Sequence, residues 1–192
     1  MPSDVLDSRF YARPTLDVAR DLLGCWLVHR TAAGRLDGRI VETEAYVGVD
    51  DLASHASKGR TARTEIMYGP PGRAYVYLIY GMYNCFNVVA RDAEIAGAVL
   101  IRALEPGAAV RGRTDGPGRL CRALDIERRH NALDLTTAAS GLWLERRPDT
   151  SPPDQVESSP RIGVGYAGEW SARPWRFYIA TSRWVSARPG RR

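Results

Sequence analysis

Tyr75-Val76-Tyr77-Leu78-Ile79-Tyr80-Gly81-Met82-Tyr83-Asn84-Cys85-Phe86-Asn87 is an aromatic run broken by one glycine. Read with a period of two, Tyr75 and Tyr77 lie on one face of a strand, and Tyr80 has the opposite parity beside Gly81. The stretch therefore predicts a β-hairpin: Tyr75 to Tyr80, a turn near Gly81, then Asn84 to Ala90. An aromatic-rich core hairpin has the same pattern. Two tyrosines facing one way and a third at a glycine turn also suit a stacking platform with a protruding probe. Asn84 and Asn87 are polar intrusions into an apolar strand, and either one can read a ligand.

Upstream, Leu36 to Val47 predicts a long strand. Glu42, Glu44 and Tyr46 share one face and Val41, Thr43 and Ala45 the other, giving an apolar back and a chemical front. A lone glutamate on a strand is usually solvated. Here Tyr46 and Ala45 make the surroundings partly apolar, which raises a carboxylate's basicity. Downstream, Ala98 to Leu104 reads as a strand carrying Arg102, with Glu105 just beyond. An arginine in an apolar strand needs a carboxylate partner, so pairing with Glu42 or Glu44 is expected. The same arginine can help Glu44 hold a water. Flat rings, a carboxylate and an aromatic wedge are what a protein needs to extrude one nucleic-acid base and hydrolyse its bond.

With 192 residues the chain suits one domain, 1–192, with a real core. No apolar run approaches the roughly 18 residues of a membrane span, and the N-terminus lacks signal-peptide regions, so a cytoplasmic location and no membrane partner are expected. Cys25, Cys85 and Cys121 sit in apolar runs with no C-x-x-C pair and read as reduced and buried. His29, His55 and His130 show no metal-ligand spacing, and the zinc deaminase signature is absent. No metal and no cofactor is expected. The net charge is +5, and Lys58 is the single lysine among 27 basic residues. Positive charge suits a phosphate backbone; the arginine bias follows equally from codon composition.

Thr15 is read as the cap of a short helix ending at Leu23, with Gly24 as its stop, and Cys25 to Arg30 as a strand. Gly48 to Gly72 reads as a long polar surface loop, and Gly118 to Ile126 as a helix with Leu120, Cys121 and Leu124 inward. Gly141 to Arg146, Arg161 to Gly165 and Arg176 to Ala180 supply further strands. Residues 148–160 predict a flexible loop, and 1–14 and 187–192 loose ends. The fold class is α/β (α+β): one curved, largely antiparallel sheet with marginal helices and a protruding hairpin. Two other functions fit the residues. One is a single-strand binding module without chemistry; the other is a carbohydrate hydrolase using Glu42 and Glu44 as its carboxylate pair.

The blocks VETEAYVG (Val41 to Gly48), YVYLIYGMYNCFNV (Tyr75 to Val88), GPGRLCRAL (Gly116 to Leu124), LIRALEP (Leu100 to Pro106), RIGVGYAGEW (Arg161 to Trp170) and RFY (Arg176 to Tyr178) resemble the alkyladenine, or 3-methyladenine, DNA glycosylase family. The resemblance runs from about Leu22 to Val185. It implies double-stranded DNA containing damaged purines as the partner, a hairpin inserted into the minor groove, and a monomer needing no protein partner. Glu44 would be the base that activates water, helped by Arg102 and the backbone carbonyl of Val164. Tyr46, His55 and Tyr77 would sandwich the flipped base, Asn87 would police its edge against guanine's amine, and Tyr80 would fill the hole in the duplex. Arg60, Met82, Tyr83 and Arg119 would touch the DNA backbone. Some members carry histidine where this chain has Tyr166. Stacking on tyrosine would favour a cationic alkylated base by about 0.5–2 kcal/mol. With Lys58 placed in the polar loop, a monofunctional reaction without strand cleavage is expected, since a lyase needs an amine nucleophile; the amine of Pro2 is the other candidate.

Overall fold

A strand of 14 residues, β2 (Gly34–Val47), organises the molecule. The computed structural model describes residues 4–91, 94–146 and 155–187. On one side β2 pairs antiparallel with β5 (Gly97–Pro106) along most of its length. Its other side is divided between β1 (Trp26–Thr31), along residues 34–39, and β8 (Arg176–Ile179), along 42–44. A register shift around Glu42 marks a bulge, which bends the strand and lets two partners share one edge. The sheet runs β3-β4-β5-β2-β1-β6, with β3 (Ala74–Ile79), β4 (Tyr83–Val89) and β6 (Leu142–Glu145), while β7 (Val156–Ser159) adds on through β8. The eight strands among the described residues all pair antiparallel, in keeping with the expected curved, largely antiparallel sheet.

Among the described residues, three short helices, α1 (Ser8–Tyr11), α2 (Thr15–Asp21) and α3 (Pro117–Ala123), lie at the margins. Val18, Leu22, Val41, Phe86, Ile101, Leu104, Leu120 and Phe177 meet in the main core. Leu6 and Tyr11 are fully buried there, so residues 4–14 dock where loose chain was expected. Asp7 caps α1 by accepting from the Phe10 N–H. Thr15 does not cap α2. Pro14 occupies that position without a side-chain bond, and the Thr15 hydroxyl is buried without a partner. Pro117 takes the first position of α3, where its missing N–H costs nothing.

Three further expectations change. Arg161 to Gly165 is no strand: Gly163, at φ 78°, turns the chain into a 3-10 segment, Gly165–Ala172. Within the predicted loop 148–160, Val156–Ser159 forms edge strand β7. It shows three of its four side chains to solvent, so its composition looks like loop; residues 147–154 lie outside the described set. The segment 48–72 contains two 3-10 turns, His55–Lys58 and Glu65–Tyr68, and is no mere surface loop. It lays Ala56, Met67 and Tyr68 on Tyr75, Val89 and Ala98 as a second apolar cluster. Among the described residues, no helix is long and apolar enough to cross a membrane.

Candidate active site

β3 and β4 form the predicted hairpin, with Tyr77 opposite Cys85 and Ile79 opposite Tyr83. The Met82 N–H donates to the Ile79 carbonyl at 3.2 Å, and both central residues, Tyr80 at φ 53° and Gly81 at φ 70°, are left-handed. Turns of this kind match the twist of a hairpin but normally take Asn or Gly first, so a tyrosine there is strained. It stands 83% exposed at the tip, with Met82 beside it also in solvent. Leu78 and Ile79 are exposed as well, so the hairpin end projects from the body with an apolar surface.

At the hairpin's base opens a cavity of about 590 Å³, within the range of small-ligand pockets. Tyr46 from β2, His55 from the 48–72 segment, Tyr77 from β3, Asn87 from β4 and Arg102 from β5 converge on it, and Val164 closes one side. Tyr80 and Tyr83 stand at its rim, as does Tyr166, which is 73% exposed. Asn87 donates through Nδ2 to the Tyr75 carbonyl at 3.0 Å, which fixes its amide against the cavity.

Glu44 sits one layer behind the wall and is 0% exposed. Three donors hold it. The Tyr46 hydroxyl donates to Oε2 at 2.9 Å, Arg102 donates to the same oxygen at 3.2 Å, and the Ile162 N–H donates to Oε1 at 2.7 Å. Each of these partners lines the cavity. Burial first, then the Glu44 charge, pushes the Tyr46 phenol well above its ordinary pKa, so it remains a donor. Burial alone would lower the Arg102 guanidinium, but Glu44 and Glu42 more than offset that and raise it. The Val164 carbonyl already accepts from the Ala167 N–H at 3.0 Å, leaving one lone pair free.

Glu42 is equally buried but plays a different part. Its carboxylate accepts from Arg102 Nε at 3.1 Å, Arg176 Nε at 2.7 Å, and the Ser186 hydroxyl and N–H. Unlike the donors of Glu44, its partners Arg176 and Ser186 do not line the cavity, so Glu42 points to the core and the two glutamates do not flank a common substrate as a hydrolase pair would. Arg102 bridges the two carboxylates, joining both of the pairings expected for it.

His55 Nδ1 lies 2.8 Å from the Tyr75 hydroxyl, and its ring meets Tyr77 edge-on with centroids 4.7 Å apart. Burial, reinforced by the Arg63 charge, lowers its pKa to about 4, so the imidazole is neutral at pH 7. Burial also raises the pKa of the Tyr77 phenol, and it raises that of the Cys85 thiol to about 11, so this cavity cysteine stays a thiol. Lys58 ends the 3-10 turn that starts with His55, nearer the site than expected, yet it is exposed and off the cavity wall. Pro2 lies outside the described residues.

The four residues assigned to the DNA backbone scatter. Met82 and Tyr83 follow the two central turn residues, Tyr83 opening β4. Arg119 lies in a neighbouring groove of about 410 Å³ with Arg111, Arg113 and Arg122, against Tyr83. Gly118 lets α3 approach there, since an added Cβ would come within 3.0 Å of the Tyr83 side chain. Arg60 is tied up, paired with Glu65 at 2.8 Å and Glu94 at 2.6 Å and stacked on Tyr68.

Sequence reasoning missed Arg161 and Arg63. The buried guanidinium of Arg161 grips Asp51 at 2.6 and 2.8 Å and lies between the Tyr46 and Trp175 rings, so it backs the Tyr46 ring. An arginine opening an apolar stretch, Arg161-Ile162-Gly163-Val164, was the available signal. Arg63 lies over the Tyr77 ring at 4.9 Å and lines the cavity.

Residues 9–183 match the family described as methylpurine-DNA glycosylase. The chain is 54% identical to a protein of Myxococcus xanthus over 97% of both chains. It is 50% identical to one of Methanocella arvoryzae, covering 97% of this chain and 98% of that one. A protein of Legionella pneumophila is 49% identical, covering 92% of this chain and 95% of that one. All three carry the name "Putative 3-methyladenine DNA glycosylase". With a family match over nearly the whole chain and relatives at about half identity along almost their full lengths, the chain belongs to the methylpurine-DNA glycosylase family, a family of DNA N-glycosylases.

Proposed function

We propose that the cavity receives a single damaged purine turned out of duplex DNA and that Glu44 drives hydrolysis of its N-glycosidic bond. The observation that carries this reading is the Glu44 carboxylate, buried and held by three donors that all line a cavity with room for a purine. A water reaching Oε2 takes the place of the Tyr46 hydroxyl. Glu44 accepts its proton, the oxygen bonds to the sugar C1′, and the C1′–N bond breaks with its electron pair leaving on the base. Arg102 stays on Oε2 while the Ile162 N–H holds Oε1, and the free lone pair of the Val164 carbonyl accepts the water's second proton in a hydrogen bond.

Tyr46, His55 and Tyr77 supply the aromatic walls, and Asn87 meets the base edge, where it disfavours guanine's exocyclic amine; 7-methylguanine keeps that amine but is released because its cationic ring is already a good leaving group. Tyr80 at the strained turn fills the vacated stack, and its exposure suits a wedge better than a core residue. Alkylated purines such as 3-methyladenine and 7-methylguanine, and neutral ones such as hypoxanthine and ethenoadenine, are the substrate class. A neutral His55 offers one ring N–H to a neutral leaving base. The enzyme acts as a monomer without metal and leaves the abasic strand uncut.

Multiple-turnover release of free base from lesion-bearing duplexes tests the reading. Binding with no base release would leave a nucleic-acid-binding module without chemistry.

A further inference from the structure

Both tyrosines proposed to stack the base already carry a guanidinium on a ring face. Arg161 lies 4.9 Å from the Tyr46 centroid and Arg63 lies 4.9 Å from the Tyr77 centroid. The two differ in charge balance. Arg161 is neutralised by its bidentate pair with Asp51. Arg63 has no carboxylate partner among the described residues: Glu65, two positions on, is held by Arg60, and so is Glu94. A ring that already engages a cation attracts a second one less, because both draw on the same quadrupole. Arg63 is solvent-exposed on the cavity wall, so its charge repels a like charge in the cavity with salt-dependent strength.

Resting on the reading of this cavity as the base pocket, we infer that Arg63 is a specificity residue that biases the site against cationic purines and toward neutral ones. The expected preference of tyrosine walls for a cationic base is thereby blunted from within the site. The guanidinium also offers donors that a neutral base's ring nitrogens or carbonyl oxygen can accept, whereas an N-alkylated cationic base has lost one such acceptor. Arg63 further helps hold His55 in its neutral form. The wall around Tyr77 then presents donors and a positive field, which suits an uncharged purine rich in acceptors.

The test compares single-turnover release of 7-methylguanine and of hypoxanthine from otherwise identical duplexes, by the wild-type protein, Arg63→Met and Arg63→Lys. Arg63→Met keeps the side-chain length and removes the charge. It is expected to raise the ratio of 7-methylguanine to hypoxanthine rates by about tenfold over wild type. Arg63→Lys keeps the charge and should restore most of the wild-type ratio. Added salt should raise the wild-type ratio and leave the Arg63→Met ratio flat, because only the former contains a like-charge pair to screen. Taking the ratio cancels any change in DNA affinity or in the folded fraction. An Arg63→Met ratio equal to wild type overturns the inference. So does an equal loss on both substrates with a shallower salt slope, which would make Arg63 a phosphate contact. Release of neither base by wild-type protein would fell the base-excision reading itself, an outcome distinct from an unchanged ratio.

Discussion

Glu42→Gln is expected to destabilise the fold by about 3 kcal/mol, because removing one member of a buried charge network costs roughly 3–5 kcal/mol and the amide oxygen retains part of it. The carboxylate accepts from Arg102, Arg176 and both polar groups of Ser186, and it is fully buried. An amide keeps one acceptor oxygen. If that oxygen faces the two arginines, the new NH₂ meets the Ser186 N–H, donor against donor. Turned the other way, it leaves both guanidinium groups facing a donor. For a chain of this size the loss corresponds to a melting shift of roughly 6–12 °C. The assay is thermal unfolding followed by circular dichroism at pH 7. Glu105→Gln is the control. Its pair with Arg39 is 3.4 Å long with the carboxylate half exposed, so it should move the midpoint by less than about 2 °C. A Glu42→Gln midpoint within that same margin would refute the network as a structural device. Because Arg102 loses one of its two anchors, excision by the folded variant should fall about tenfold, well short of the loss for Glu44.

Three further predictions concern the rim, the histidine and the bond left behind. Tyr80→Gly relieves a left-handed φ and removes an exposed ring, so the melting midpoint should hold or rise while base extrusion, read by a fluorescent base in the duplex, is lost; a large drop in midpoint would make Tyr80 a core residue. The folded His55 pKa, about 4, lies below the unfolded value of 6.5, so the unfolded chain binds more protons between them. Its contribution is therefore present in full above pH 6.5 and lost as pH falls toward 4, and His55→Gln should flatten the midpoint-versus-pH curve in that window; a parallel curve would contradict the assignment. Borohydride trapping on a lesion duplex should give no covalent adduct, whereas an adduct that disappears in Lys58→Ala would overturn the hydrolytic mechanism.

Much of this architecture was legible in the chain because its signals are local. The hairpin showed itself through alternation around Gly81, and the chemical face of β2 through Glu42, Glu44 and Tyr46 at a period of two. Arg102 announced its need for a carboxylate by sitting in an apolar strand. What escaped were features set by distant parts of the chain. Strand β7 is polar because it is an edge, so Glu157 and Ser158 read as loop until β8 pairs with them. The docking of 48–72 depends on a sheet face built by β3 to β5, and nothing local to Met67 or Tyr68 announces it. Asp51 and Arg161 meet across 110 positions, a separation no periodicity registers. The donor to the second oxygen of Glu44 likewise comes from Ile162, 118 positions away.

The most direct test of the account is single-turnover base release by Glu44→Gln, on protein shown to be folded and to bind the lesion duplex. The account predicts a rate lower by about 10² or more with binding retained, since the amide fills the same space but accepts no proton from water. A folded Glu44→Gln protein that releases the base at the wild-type rate would contradict it.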